Sequence, residues 1–276
     1  MNIPAWFYRF IDIEANRKAI LKEVLEINKL QFREVVLNTD THLLVYPYNT
    51  IRKPGRKIKL LTAHYDRVPG TQGVLDNSCA VWQLLEYAAS PIQKENIVIA
   101  FTDHEEIPHE GSAKEQGAFF LGKALASMGI EAPAIFCFDV TGHGDTVLIA
   151  DTVQQVVGRY ASLEPLQQQI SLMSRLLLAA LKKHVRCIEG YLPFGENLGF
   201  MLAGFPALEI SIVPEKEAPR RMNDFSGLAQ PHANTSAPQF WSYLHTNRDT
   251  LELITPEAFF IMQKVLACLG SMHLSK

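Results

Sequence analysis

Two histidines and five carboxylates stand in this sequence where chemistry can gather. The stretch LLTAHYDRVPGTQGVLDNSCAVWQLLEYA, residues 60–88, ends an apolar run on His64, adds Asp66, and opens a helical pattern at Asp76. Further on, FTDHEE supplies Glu105 and Glu106, CFDVTG supplies Asp139, and YLHTNRDT supplies His245. Imidazole nitrogens and carboxylate oxygens are the donors that suit zinc or a similar divalent ion, and a set of two histidines and three carboxylates fills such a site. With Glu105 beside it, one residue remains for proton transfer. Each residue alone has a plainer use: Asp76 reads as a helix N-cap, the Glu105–Glu106 pair as solvated loop, His245 as a surface histidine. Capping and ligation can also coincide in Asp76.

Such residues need elements to carry them. KIKLLTA, NIVIAFT and PAIFCFDV are short, continuous apolar runs followed by turn residues, the pattern of buried strands. Helical patterns follow over 77–89, 114–128 and 165–183, with others over 15–31 and 256–272. REVVLNTDTHLLVYPYN reads as a hairpin around NTDTH, and ALEISIV as a further strand. Strands alternating with helices predict an α/β fold with a mixed, largely parallel central sheet and helices on both faces. No repeat or linker divides residues 1–276, so one domain is expected. In such sheets ligands bind beyond the carboxyl ends of the strands, which is where AHYD, FTDHEE and CFDV fall.

Composition narrows the partners. At 47% hydrophobic the chain can bury a sizeable core, and a net charge of −3 with no basic block longer than Arg220–Arg221 gives no surface for nucleic acid or an anionic membrane. The four cysteines, Cys79, Cys137, Cys187 and Cys268, form no CxxC and predict reduced thiols rather than disulfides or a thiolate zinc site. The first residues carry charges every few positions and no long apolar stretch, so a cytoplasmic protein with no signal peptide or membrane span is expected. Oligomeric state leaves no mark in the sequence.

In order, AHYD, GVLDNSCA, FTDHEEIPHEGS, CFDVTG, AGFPALEIS and LHTNRDT resemble the motifs of the co-catalytic zinc aminopeptidases. That family is typified by bacterial leucyl aminopeptidase, aminopeptidase Y and the glutamate carboxypeptidase II catalytic domain, with glutaminyl cyclases as relatives. The resemblance runs from about Lys57 to Gly270 and implies a zinc-dependent exopeptidase fold. It also implies two zinc ions, with cobalt or manganese as substitutes. By that resemblance His64 and Asp139 hold one metal, Glu106 and His245 hold the other, and Asp76 bridges them. Asp66 orients His64 and Glu105 is the general base. The implied reaction is hydrolysis of N-terminal residues from peptides, with a glutaminyl-peptide cyclotransferase and a metal-binding scaffold without catalysis as the alternatives.

Two departures fall at the pocket rim: Pro108 and His109 stand where the family often has Gly-Leu, and a DH pair is missing near Glu196 and Asn197. They touch substrate choice and leave the five ligands intact. His104, His109 and His143 read as loop histidines, and Cys79 as a packing residue. Arg220 and Arg221 lie in the long irregular segment 213–240. Tyr243, near His245, reads either as a hydrogen-bond donor to an oxyanion or as an aromatic anchor beside Phe240 and Trp241.

Overall fold

The structure, a computed structural model, describes residues 1–107, 112–128, 133–159, 161–219 and 239–275. Two short helices, α1 (Ala5–Phe10) and α2 (Arg17–Ile27), precede a hairpin of β1 (Gln31–Leu37) and β2 (Asp40–Tyr46). Then come β3 (Thr50–Ile51), β4 (Lys59–His64), α3 (Cys79–Ala89), β5 (Lys94–Glu95), β6 (Ile97–Thr102), α4 (Gly117–Ser127) and β7 (Ala134–Phe138). The remainder is β8 (Thr146–Ala150), α5 (Thr152–Val156), α6 (Glu164–Leu181), β9 (Cys187–Gly190), α7 (Glu196–Leu202), β10 (Ala207–Val213) and α8 (Pro256–Ser271).

Eight strands form one sheet in the order β1-β2-β6-β4-β7-β10-β8-β9, and β3 pairs with β5 apart from it. The four central strands, β6, β4, β7 and β10, are mutually parallel, while β2 and β8 flank them antiparallel. Every residue of these four strands is buried, because helices cover both faces, and such strands read as unbroken apolar runs. Register aligns their carboxyl ends: His64 lies opposite Thr102, and Ile210 opposite Phe138. The residues that follow, Tyr65, Asp103 and Asp139, therefore emerge at one edge of the sheet.

Aromatic packing ties the first helix to this core. Trp82 on α3 sits 4.8 Å from the Phe7 ring and 4.5 Å from that of Phe259 on α8, all three buried. Burying side chains of this size stabilises the fold by roughly 1.5–3 kcal/mol each. Lys59 is buried at the start of β4, and its Nζ donates to the carbonyls of Leu269 (2.5 Å) and Met272 (2.6 Å). It satisfies acceptors left over at the C-terminus of α8. No helix among the described residues is long and apolar enough to cross a membrane.

The expected elements appear with shifted ends. The helix expected over 77–89 starts at Cys79, preceded by a π-type turn, Val74–Ser78, in which Asp76 and Asn77 hold non-helical dihedrals. The hairpin turn is tighter than NTDTH: Asn38 takes a left-handed φ of 56° and β2 already begins at Asp40. Helix α1, the short strands β8 and β9, and α7 inside FGENLGFMLAGFP were not expected.

Candidate metal centre

The loop that leaves β4 returns its chain to the same sheet edge. Gly73 adopts φ 55°, and a Cβ there would lie 2.6 Å from the Asp76 carbonyl oxygen, so only glycine fits this turn. Asp76 follows, its peptide to Asn77 cis and its carboxylate capping no helix. Its Oδ1 lies 3.2 Å from His64 Nε2 and its Oδ2 2.9 Å from His245 Nε2. One carboxylate thus faces two imidazoles with different oxygens.

Around each oxygen a cluster closes. His64, Asp76 and Asp139 each place a donor atom within 4.8 Å of the others, and so do Asp76, Glu106 and His245. Asp139 Oδ1 is 3.6 Å from His64 Nε2, and Glu106 Oε2 is 3.5 Å from His245 Nε2. A third grouping joins His64 to Glu105 and Glu106. Behind His64, Asp66 Oδ1 lies 3.4 Å from Nδ1, while Asp66 Oδ2 accepts the main-chain N–H of Glu106 at 3.0 Å. Asp66 therefore links a histidine of one cluster to the backbone of the other. Glu105 is held by Gln116, whose Nε2 donates to Glu105 Oε1 at 3.2 Å.

Three residues at this edge take left-handed backbone conformations that side-chain-bearing residues rarely adopt: His104 (φ 62°), Val140 (φ 52°) and His245 (φ 59°). Each is a site residue or its chain neighbour, and strain of this kind concentrates at functional sites.

The electrostatics are those of a site short of positive charge. Burial pushes the Glu105 carboxyl well up, and the nearby Glu106, Asp139 and Asp76 add to it. Burial and the Asp76 charge raise Glu106 to about 8, and the same two causes raise Asp139. Burial alone would depress His64, but contacts with Asp139, Asp66 and Asp76 outweigh it and hold its pKa well above the ordinary value. His245 rises to about 9, chiefly through its contact with Asp76. Glu105, Glu106, Asp139 and both imidazoles favour their protonated forms, as groups do when protons take the place of a cation, whereas against the effect of burial the contacts with His245 and His64 hold Asp76, and the contact with His64 holds Asp66, below the usual carboxylate range.

The buried atoms suit such an ion. Both ring nitrogens of His64, Asp66 Oδ1, Glu106 Oε1 and Asp139 Oδ1 are shut from solvent and have no hydrogen-bond partner. Buried polar atoms seldom go unpaired, and here they converge with a donor set of imidazole nitrogen and carboxylate oxygen.

A family model, Peptidase family M28, matches residues 49–269. The chain belongs to that family. No curated protein matches the sequence significantly. Among solved structures, a leucine aminopeptidase precursor from Bacteroides thetaiotaomicron is similar with TM-score 0.66 and 17% identity, over 97% of this chain and 95% of that one. A Porphyromonas gingivalis glutaminyl cyclase gives 0.63 and 20%, over 96% and 95%. A Zn-dependent exopeptidase from Parabacteroides distasonis gives 0.62 and 17%, over 97% and 96%. The fold is that of the M28 zinc exopeptidases, and the chain is a metal-dependent enzyme of this family.

All seven residues singled out in the sequence, His64, Asp66, Asp76, Glu105, Glu106, Asp139 and His245, come together. His104 and His143 find partners elsewhere. His104 turns away to Asp40, at 3.0 Å, and His143 Nδ1 to the Leu253 carbonyl, at 2.6 Å. The Tyr243 ring is stacked under the Arg248 guanidinium, whose Cζ is 3.9 Å from the ring centroid, and packs against the apolar cluster that contains Phe240. Cys79 is buried against Gly142, as packing requires. Pro108, His109, Arg220 and Arg221 lie outside the described residues.

Two supports escaped the sequence reading. Asp249 is fully buried, accepts the main-chain N–H groups of Leu75 (2.7 Å) and Asp76 (3.2 Å), and is raised to about 6, mainly by burial. Its place in LHTNRDT, four residues after His245, was the available signal. Glu196, at the departure from the family's DH, is buried beneath the site and accepts the hydroxyls of Thr62 and Thr102.

Proposed function

We propose that residues 1–276 form one catalytic domain, a two-zinc exopeptidase that removes N-terminal residues from peptides. The observation that carries this is the division of Asp76: its two oxygens face two separate donor clusters, the arrangement of a carboxylate bridging two cations. In this reading His64 and Asp139 hold one ion, Glu106 and His245 the other, and Asp76 both. Asp66 fixes the orientation of His64. When bound, the ions supply Lewis acidity toward a water and the scissile carbonyl.

The rest is work for the chain itself. Glu105, beside the ligand Glu106 and held by Gln116, takes the proton of the attacking water and returns it to the leaving amine, work worth roughly 10²–10⁴-fold in rate. The surrounding carboxylates carry more negative charge than is needed to balance the ions, which favours a substrate with a free N-terminal amine. N-acetylated peptides are accordingly poor substrates. Four free cysteines, three of them buried, accord with a reducing, cytoplasmic setting.

Glutaminyl cyclases share this fold to a similar degree, and their reaction, attack of a substrate's own amine on its glutamine side chain, is the second reading. Incubation with Leu-Ala-Ala and Gln-Ala-Ala, read by mass spectrometry, separates the two. Free leucine is expected from the first peptide. Ammonia loss from the second, with no leucine released from the first, would overturn the peptidase reading in favour of the cyclase.

A further inference from the structure

Arg17 opens helix α2, ahead of the residues that the family model matches, and is buried at 5% exposure. Its guanidinium stacks over the Phe10 ring, Cζ 4.6 Å from the centroid, and Nε donates to the Phe10 carbonyl at 3.2 Å. One terminal nitrogen, Nη1, donates to the carbonyls of Tyr65 (3.0 Å) and Asp66 (2.9 Å). The other, Nη2, donates to those of Gln72 (2.9 Å) and Gly73 (3.1 Å) and also meets Ser78 Oγ. The first pair begins the loop between His64 and Asp76, and the second pair ends it.

All six acceptors are neutral, so this is no ion pair. A buried guanidinium without a partner carboxylate is costly, and burial depresses Arg17 to about 9, with Arg67 adding to that effect and Asp66, Asp76 and Asp249 opposing it. What it obtains in return is geometric. A planar fork with fixed angles between donors sets the distance between two pieces of backbone, which a single ammonium cannot do. Gly73 shows how close the approach is: a Cβ there would lie 3.3 Å from Nη2.

We propose that Arg17 is a positioning residue of the metal centre: by clamping both ends of the loop 65–73 it sets where Asp76 stands between His64 and His245, and so allows one carboxylate to serve two ions. The inference rests on the two-ion reading above. His64 and Asp139 sit at strand ends and keep their places without the clamp. Glu106 and His245 are loop residues, so the ion they share with Asp76 depends most on it.

The test is metal binding rather than turnover. Metal-free wild type, Arg17→Lys and Arg17→Ala are titrated with zinc by calorimetry and with cobalt by absorbance, and their melting is followed without metal. Wild type is expected to bind two ions. Arg17→Lys, which keeps the charge and most of the packing, should bind the first nearly as well and the second about 10–100-fold more weakly. In Arg17→Ala, millimolar methylguanidinium should restore the second ion and methylammonium should not; if Arg17→Ala does not fold, Arg17→Lys carries the test. A folded Arg17→Lys that binds two ions with wild-type affinity, even with a lowered melting temperature, overturns the proposal and leaves the two-ion reading standing. Wild type that binds no second ion overturns both.

Discussion

The carboxylate of Asp249 holds Asp76 by its backbone: Oδ2 accepts the Asp76 N–H at 3.2 Å, and Oδ1 that of Leu75 at 2.7 Å. The Asp76 carboxylate stays free for the two histidines. One residue of LHTNRDT therefore contacts the site directly, through His245, and another shapes it from behind.

Asp249→Asn leaves one acceptor oxygen and turns an amide N–H toward a main-chain N–H. Burying an unsatisfied donor costs about 1–3 kcal/mol. Zinc affinity should fall by about 10–100-fold while circular dichroism stays that of the wild type. Calorimetric titration checks this, and unchanged affinity would show that the turn holds Asp76 without Asp249.

Glu105→Gln keeps the shape of the side chain and removes its ability to accept a proton. Turnover should drop by roughly 10²–10⁴-fold with metal content unaltered. Steady-state kinetics on Leu-Ala-Ala beside elemental analysis measures both; retention of wild-type turnover would remove Glu105 from the reaction.

Asp76→Ala and Asp139→Ala should differ. The first takes a ligand from both clusters, so neither ion should be retained through desalting. The second spares Asp76, Glu106 and His245 and should leave one ion. Dialysis against a chelator should abolish wild-type activity, with recovery on adding zinc, cobalt or manganese.

Lys59 gives the fold a pH signature at the other end of β4 from His64. Burial lowers its pKa from 10.5 to about 8, so between these values the unfolded chain binds more protons than the folded one, and stability rises with pH. The contribution is bounded by about 3 kcal/mol across that window. Urea unfolding from pH 7.5 to pH 10.5 should show a rising component in the wild type that Lys59→Met lacks; parallel curves would mean that Lys59 titrates normally in the fold.

The central sheet was legible because its strands are buried on both faces, so KIKLLTA, NIVIAFT and PAIFCFDV stand out as unbroken apolar runs. β9, CIEG, is only four residues long, half polar and carries no such run, while β8, TVLIA, does carry a short one and was overlooked beside CFDVTG. The turn before α3 misled because its backbone leaves the helix. LDNS carries the signature of a helix start, but Asp76 and Asn77 leave helical geometry, and the carboxylate turns to His64 and His245. The seven candidate residues that converge were legible because histidines and carboxylates recur at strand ends in motifs that resemble those of a known family. Arg17 and Asp249 were not, since they grip main-chain N–H and C=O groups that every sequence offers, and no pairing of residue types betrays them.

The spread of the clusters along the chain gives them an order of birth. During synthesis His64, Asp76 and Asp139 leave the ribosome long before His245, and N-terminal parts of a chain fold first. In the two-ion reading, the side chains of one cluster have therefore all emerged once β7 is made, and Asp76 gains the Asp249 contacts that hold it only later. The other cluster lacks His245 until the turn that precedes α8 is made, so that in this reading full metal loading marks a chain synthesised at least that far.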